Sequence, residues 1–76
     1  MNKTVNGLWE SFRNDVIPYD APEDQLREMK RAFFAGAHSM FHLIGYVSDT
    51  QTEDEAMKMF DYFENEIMEF VSSQLK

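Results

Sequence analysis

At 76 residues the chain is long enough for one helical domain, 1–76, and too short to bury much of its surface without a disulfide, a metal or a partner subunit. It contains no cysteine, which excludes disulfides and thiolate zinc sites and fits a reducing compartment. Fourteen acids against seven bases give a net charge of −7, a balance that opposes direct nucleic-acid binding and favours a basic protein partner or simple solubility.

That charge is unevenly placed. Residues 1–48 hold six acids and five bases, whereas residues 49–76 hold eight acids against Lys58 and Lys76. The last element therefore carries nearly all the excess. The longest apolar run is too short to span a membrane, and the opening MNKTVNGLWESF lacks the apolar block of a secretory signal, so the expected location is cytoplasmic.

In chain order, Val5, Leu8, Trp9, Phe12 and Val16 recur at helical spacing until Pro18, which predicts a short amphipathic helix over about residues 5–16. Asp20 and Glu23 then stand three apart with Pro22 between them, the pattern of a capping box with an Asp cap. A long helix is expected from there, over about residues 21–48. Its apolar stripe runs Leu26, Met29, Phe33, Gly36 or Ala37, Met40, Ile44 and Val47 up to the polar break SDTQT.

Thr52 and Glu55 form a second capping box, which launches a third helix over about residues 53–75. Ala56, Phe60, Phe63, Ile67 and Phe70 repeat along its seam, widened by Met57, Met59, Met68, Val71 and Leu75. No segment has the two-residue period of a strand. The fold class read from these patterns is all-α: a short N-terminal helix followed by a long antiparallel helical hairpin, since a link of a few residues turns the chain back on itself. Phe34, Phe41, Met57 and Met68 lie off the main seam. Stripes this broad are expected to complete a bundle by homo-oligomerisation, as a homodimer or higher.

Four groups of residues are candidates for function. His38 and His42 stand four apart, a zinc-ligand spacing, but no third motif histidine follows and Ser39 replaces the glutamate of the metalloprotease pattern. They read as structural or interface histidines, so neither a metal nor any other cofactor is expected. Arg27, Lys30 and Arg31 form one cationic patch, with Arg13 as a further member. It serves either intrachain pairing with acids such as Glu23 and Glu28, or contact with a phosphate-bearing nucleotide on which Tyr19 would stack.

Trp9, Phe12 and Tyr62 are candidate interface anchors, because the helix between Gly7 and Pro18 is the element most easily repositioned. Asp61, Glu64, Glu66 and Glu69 form an acidic face suited to a protein with a basic surface. Nucleophile elbows, phosphate-binding glycine loops and isolated carboxylate pairs are missing from the sequence, so no catalysis is expected.

The stretches LWESFRNDVIPYDAP and QLREMKRAFFAGAHSMFHLI have a further property. Over about residues 8–45 the chain resembles a loose group of small acidic helical proteins encoded by bacteriophages and prophages. In that group a tryptophan-containing opening, a DAP-type turn and an MRRAFYAGA-like helix recur. This chain departs from the last pattern at Lys30 and Phe34. The resemblance implies phage origin, the host cell cytosol as location, and counter-defence by binding a host protein. Three functions are expected in competition: an inhibitor occupying a basic host surface, an oligomeric sponge for a phosphate-bearing signalling nucleotide, and an assembly protein acting only by self-association.

Overall fold

A computed structural model describes residues 3–74. Among these residues there are three helices and no strand: α1 (Val5–Val16), α2 (Glu23–Thr50) and α3 (Glu53–Gln74). The expected end of the third helix at Leu75 lies outside the described residues. The chain divides into two units, Met1–Met40 and Phe41–Lys76, with the boundary inside α2.

Each helix start has an identifiable cause. Thr4, in an extended conformation, closes the N-terminus of α1: its Oγ1 accepts the Gly7 N–H at 2.9 Å and its carbonyl accepts the Leu8 N–H at 3.0 Å. This cap offsets the weakness that Gly7 introduces. At the other end Arg13 lies in the last turn, where a cation complements the helix dipole.

The start of α2 departs from the sequence expectation. Asp20 belongs to the preceding turn, which the Ala21 N–H closes onto the Pro18 carbonyl at 3.1 Å, and α2 begins at Glu23. Pro22 supplies the first helical acceptor, bonded to the Leu26 N–H at 3.0 Å. The ring on Pro22 disfavours helical backbone at Ala21, so the helix cannot reach back to an Asp20 cap.

The far end of α2 also runs past the expected break. Thr50 Oγ1 donates back to the Tyr46 carbonyl at 2.7 Å and the Gln51 N–H donates to the Val47 carbonyl at 3.0 Å. These bonds carry the helix through Ser48 and Asp49, leaving only Gln51 and Thr52 as the link to α3.

The capping box at Thr52 forms as its spacing requires. Thr52 Oγ1 accepts the Glu55 N–H at 3.2 Å, while Glu55 Oε1 accepts both the Thr52 hydroxyl at 2.7 Å and the Thr52 N–H at 3.2 Å. Those two bonds, the hydroxyl first, hold the Glu55 carboxyl below its ordinary pKa.

The first unit has an aromatic core in which Trp9 is buried and Phe12 and Phe33 are half-buried. Trp9 is 2% exposed and packs edge-on to Phe33 at 5.5 Å between ring centroids; Phe12 meets the same ring at 5.4 Å. These contacts fasten α1 to α2, and Ile17 is buried just beyond the end of α1. Pairs of this kind add about 0.5–1.5 kcal/mol each beyond the area they bury.

The second unit is thinner. Val47 is fully buried and Ala56 nearly so, while Met59, Phe60 and Phe63 are half-buried. Among the described residues no helix is long and apolar enough to cross a membrane.

Candidate binding surface

The seam of α3 loses its cover as it leaves the link. Ala56 is 9% exposed, Phe60 and Phe63 are half-buried, Ile67 is 48% exposed and Phe70 66%. Met57, Met68 and Val71 are exposed beside them. Residues 57–71 thus present a band of apolar side chains at three- and four-residue spacing, kept on one side of α3 by the helical period.

Acids stand within and beside that band. At 3.6 residues per turn, Glu64 falls between Val71 and the Met57/Met68 pair with Asp61 just outside it, and Glu66 falls on the opposite flank beside Met59 and Phe70, with Glu69 further round. All four carboxylates are exposed, and no ion pair is found for them among the described residues. Tyr62, expected as an anchor, is exposed on the Glu69 side, its ring 6.4 Å from that of Phe63.

The other two expected anchors lie elsewhere. Trp9 and Phe12 are occupied by the chain's own core around Phe33, so an anchor role for Trp9 requires lifting α1 off α2. The tryptophan was legible as apolar and helical, but which neighbour covers it depends on the turn at Pro18–Ala21.

The cationic patch is laid out differently from the sequence expectation. Arg27 pairs with Asp24, Arg31 with Glu28 at 3.0 Å, and Arg13 approaches Glu10 at 4.0 Å, each an exposed i,i+3 pair within its own helix, α2 for the first two and α1 for the third. Lys30 lies 6.0 Å from the Phe34 ring centroid. Two shallow recesses meet here. One, of about 420 Å³, is lined by Arg13, Asn14, Ile17, Tyr19 and Leu26 among others; the second, of about 260 Å³, takes in Trp9, Glu10, Arg13, Glu23, Arg27 and Lys30.

Arg13 lines both recesses and Arg31 neither. Tyr19 and Arg27 therefore stand in different hollows, which share Arg13 and Leu26. Its central place follows from the fold of α1 onto α2, which the spacing of the chain alone does not specify.

His38 and His42 are both exposed on α2, and the His42 ring meets Phe41 edge-on at 6.5 Å. Among the described residues no group of three or more histidines, aspartates or glutamates is gathered so as to hold a metal ion. Comparison with family models, with curated proteins and with solved structures finds no match to this chain.

Proposed function

We propose that the protein is a non-enzymatic binding protein of phage type that inhibits a host protein by occupying a basic surface on it. The observation that carries this reading is a partly uncovered apolar band with acids in and beside it, Asp61 and Glu64 towards the Met57/Met68 edge and Glu66 and Glu69 towards the other, for which no ion pair is found among the described residues. Apolar area supplies affinity once water is excluded, and the carboxylates steer a cationic partner toward it. The phage setting rests on the resemblance of residues 8–45.

The test is a plating assay in a host whose defence the protein counters. Wild-type protein restores phage growth, and the triple change Asp61→Lys, Glu64→Lys, Glu69→Lys abolishes the effect with the helical circular dichroism intact. Arg27→Glu with Arg31→Glu leaves it unchanged. Loss of activity in the arginine pair alone would replace this reading with the nucleotide sponge, and activity in every variant would remove the acidic face from the function.

Self-association is favoured by a separate observation on α2. Phe41 is 78% exposed, and a Cβ placed on Gly45, one turn further on, would meet nothing within 4 Å. A second helix backbone has room to approach there. We propose that α2 and α3, joined by two residues, run antiparallel and that copies of the hairpin complete a bundle through the Phe41 side. Sedimentation equilibrium at high micromolar concentration tests this: a folded monomer of Phe41→Ser beside an oligomeric wild type supports it, and a monomeric wild type overturns it.

A further inference from the structure

We infer that the apolar band of α3 is a seat for a cationic amphipathic helix supplied by the partner protein. The inference rests on the basic-partner reading above and narrows it from a charge to a shape. Met57 to Val71 spans four helical turns, about 21 Å at ~1.5 Å per residue. Along that length the half-buried Met59, Phe60 and Phe63 and the exposed Met57, Ile67, Met68, Phe70 and Val71 follow one another at short helical intervals, barest in the last two turns.

A partner that fills the furrows between such side chains for four turns must repeat its own with the same period, which another helix does and an extended segment does not. Its backbone hydrogen bonds are also satisfied internally, so its apolar face can be buried without stranding peptide groups.

The charge pattern selects among occupants. Residues 41–74 hold eight acids and one base, Lys58. A second copy laid on this band would bring Glu64 and Glu66 against the same acids of its mate, and a polyanion or an anionic membrane surface meets the same repulsion. A helix with lysine or arginine on both borders of an apolar stripe places opposite charges against Glu64 and Asp61 on one flank and Glu66 and Glu69 on the other, the arrangement that flanking positions use in paired helices. Met57 and Met68, unbranched and polarisable, let the band accept different apolar teeth. The site therefore fits a class of helix more than one sequence.

The experiment is isothermal titration of the full chain with three synthetic peptides: an 18-residue amphipathic lysine–leucine helix, a scrambled peptide of the same composition, and an oligolysine of equal charge. The expected result is binding of the amphipathic helix at least tenfold tighter than either control, weakened more than tenfold between low and high salt. Amide shifts should concentrate on residues 57–71. Ile67→Ser with Phe70→Ser should lower the affinity at least tenfold, and Glu64→Lys with Glu66→Lys, at exposed positions that do not threaten folding, should do the same.

Equal binding of oligolysine would overturn the helical seat while leaving the basic-surface reading standing. No binding of any peptide at millimolar concentration would overturn both. A wild-type dimer dispersed by Phe70→Ser would assign the band to a second copy and overturn the inference.

Discussion

Residues 3–40 and 41–74 are built from the same helical code and spend it in opposite ways. In the first, Trp9, Phe12 and Phe33 pack ring to ring and Ile17 is buried, with Val5, Leu8, Val16 and Tyr19 left exposed around them, and Arg27 and Arg31 are matched by acids one turn away on their own helix. In the second, full or near-full burial is limited among the described residues to Val47 and Ala56, while Phe41, Tyr62, Ile67 and Phe70 stay exposed beside unpaired carboxylates. An aromatic cluster that packs on itself has little left for a partner. A region that leaves both apolar and charged groups unsatisfied keeps its interaction energy for association.

The contrast is sharpest in the core. Trp9→Ala should cost about 3–5 kcal/mol, the usual loss for a large aromatic in a closed core, whereas Phe70→Ala should stay within about 0.5 kcal/mol. Urea unfolding followed by circular dichroism at 222 nm measures both, and equal losses would erase the distinction between the two regions. Val47→Ala, at the one fully buried side chain of the second region, should fall between them at about 2 kcal/mol.

The caps test a place where the regions should agree. Thr4→Ala and Thr52→Ala each remove a hydroxyl that accepts a first-turn N–H, at about 1 kcal/mol apiece. The second cap carries a pH signature that the first lacks. Because the folded state lowers the Glu55 pKa, its contribution is fully present above the ordinary glutamate value and is lost as pH falls through the lower folded one. Glu55→Gln should flatten that part of the stability-against-pH curve, and an unchanged acid limb would show that the capping carboxylate contributes nothing.

A small effect is also expected at the cationic patch. Its pairs are exposed on both sides, so Arg31→Ala should change stability by less than about 1 kcal/mol and lose even that in high salt. A larger loss in denaturant titrations would mean that the patch is structural.

Helical class, the three segments and the second capping box were legible in the residues, because apolar period and Thr-x-x-Glu spacing are local properties that one stretch of chain satisfies alone. The acidic concentration after residue 48 was legible for the same reason, as was Glu28 as the partner of Arg31, whereas Arg27 pairs with Asp24 and not with Glu23. Local geometry also misled: Asp20 and Glu23 have capping-box spacing, yet the turn bonded from Ala21 to Pro18 claims Asp20 first.

Which apolar residues end up covered could not be read from spacing. Trp9 and Phe70 occupy equivalent positions in two helical stripes, and only the fold of α1 onto α2 buries one while the other stays bare. Burial depends on what arrives from elsewhere in the chain. The same holds for Arg13, which with Leu26 becomes a shared wall of two recesses because the Pro18–Ala21 turn brings the end of α1 beside the first turns of α2. Sequence by itself determined the helices and the sign of their faces; tertiary structure decided which faces were already occupied, since a contact belongs to two segments and neither encodes it alone.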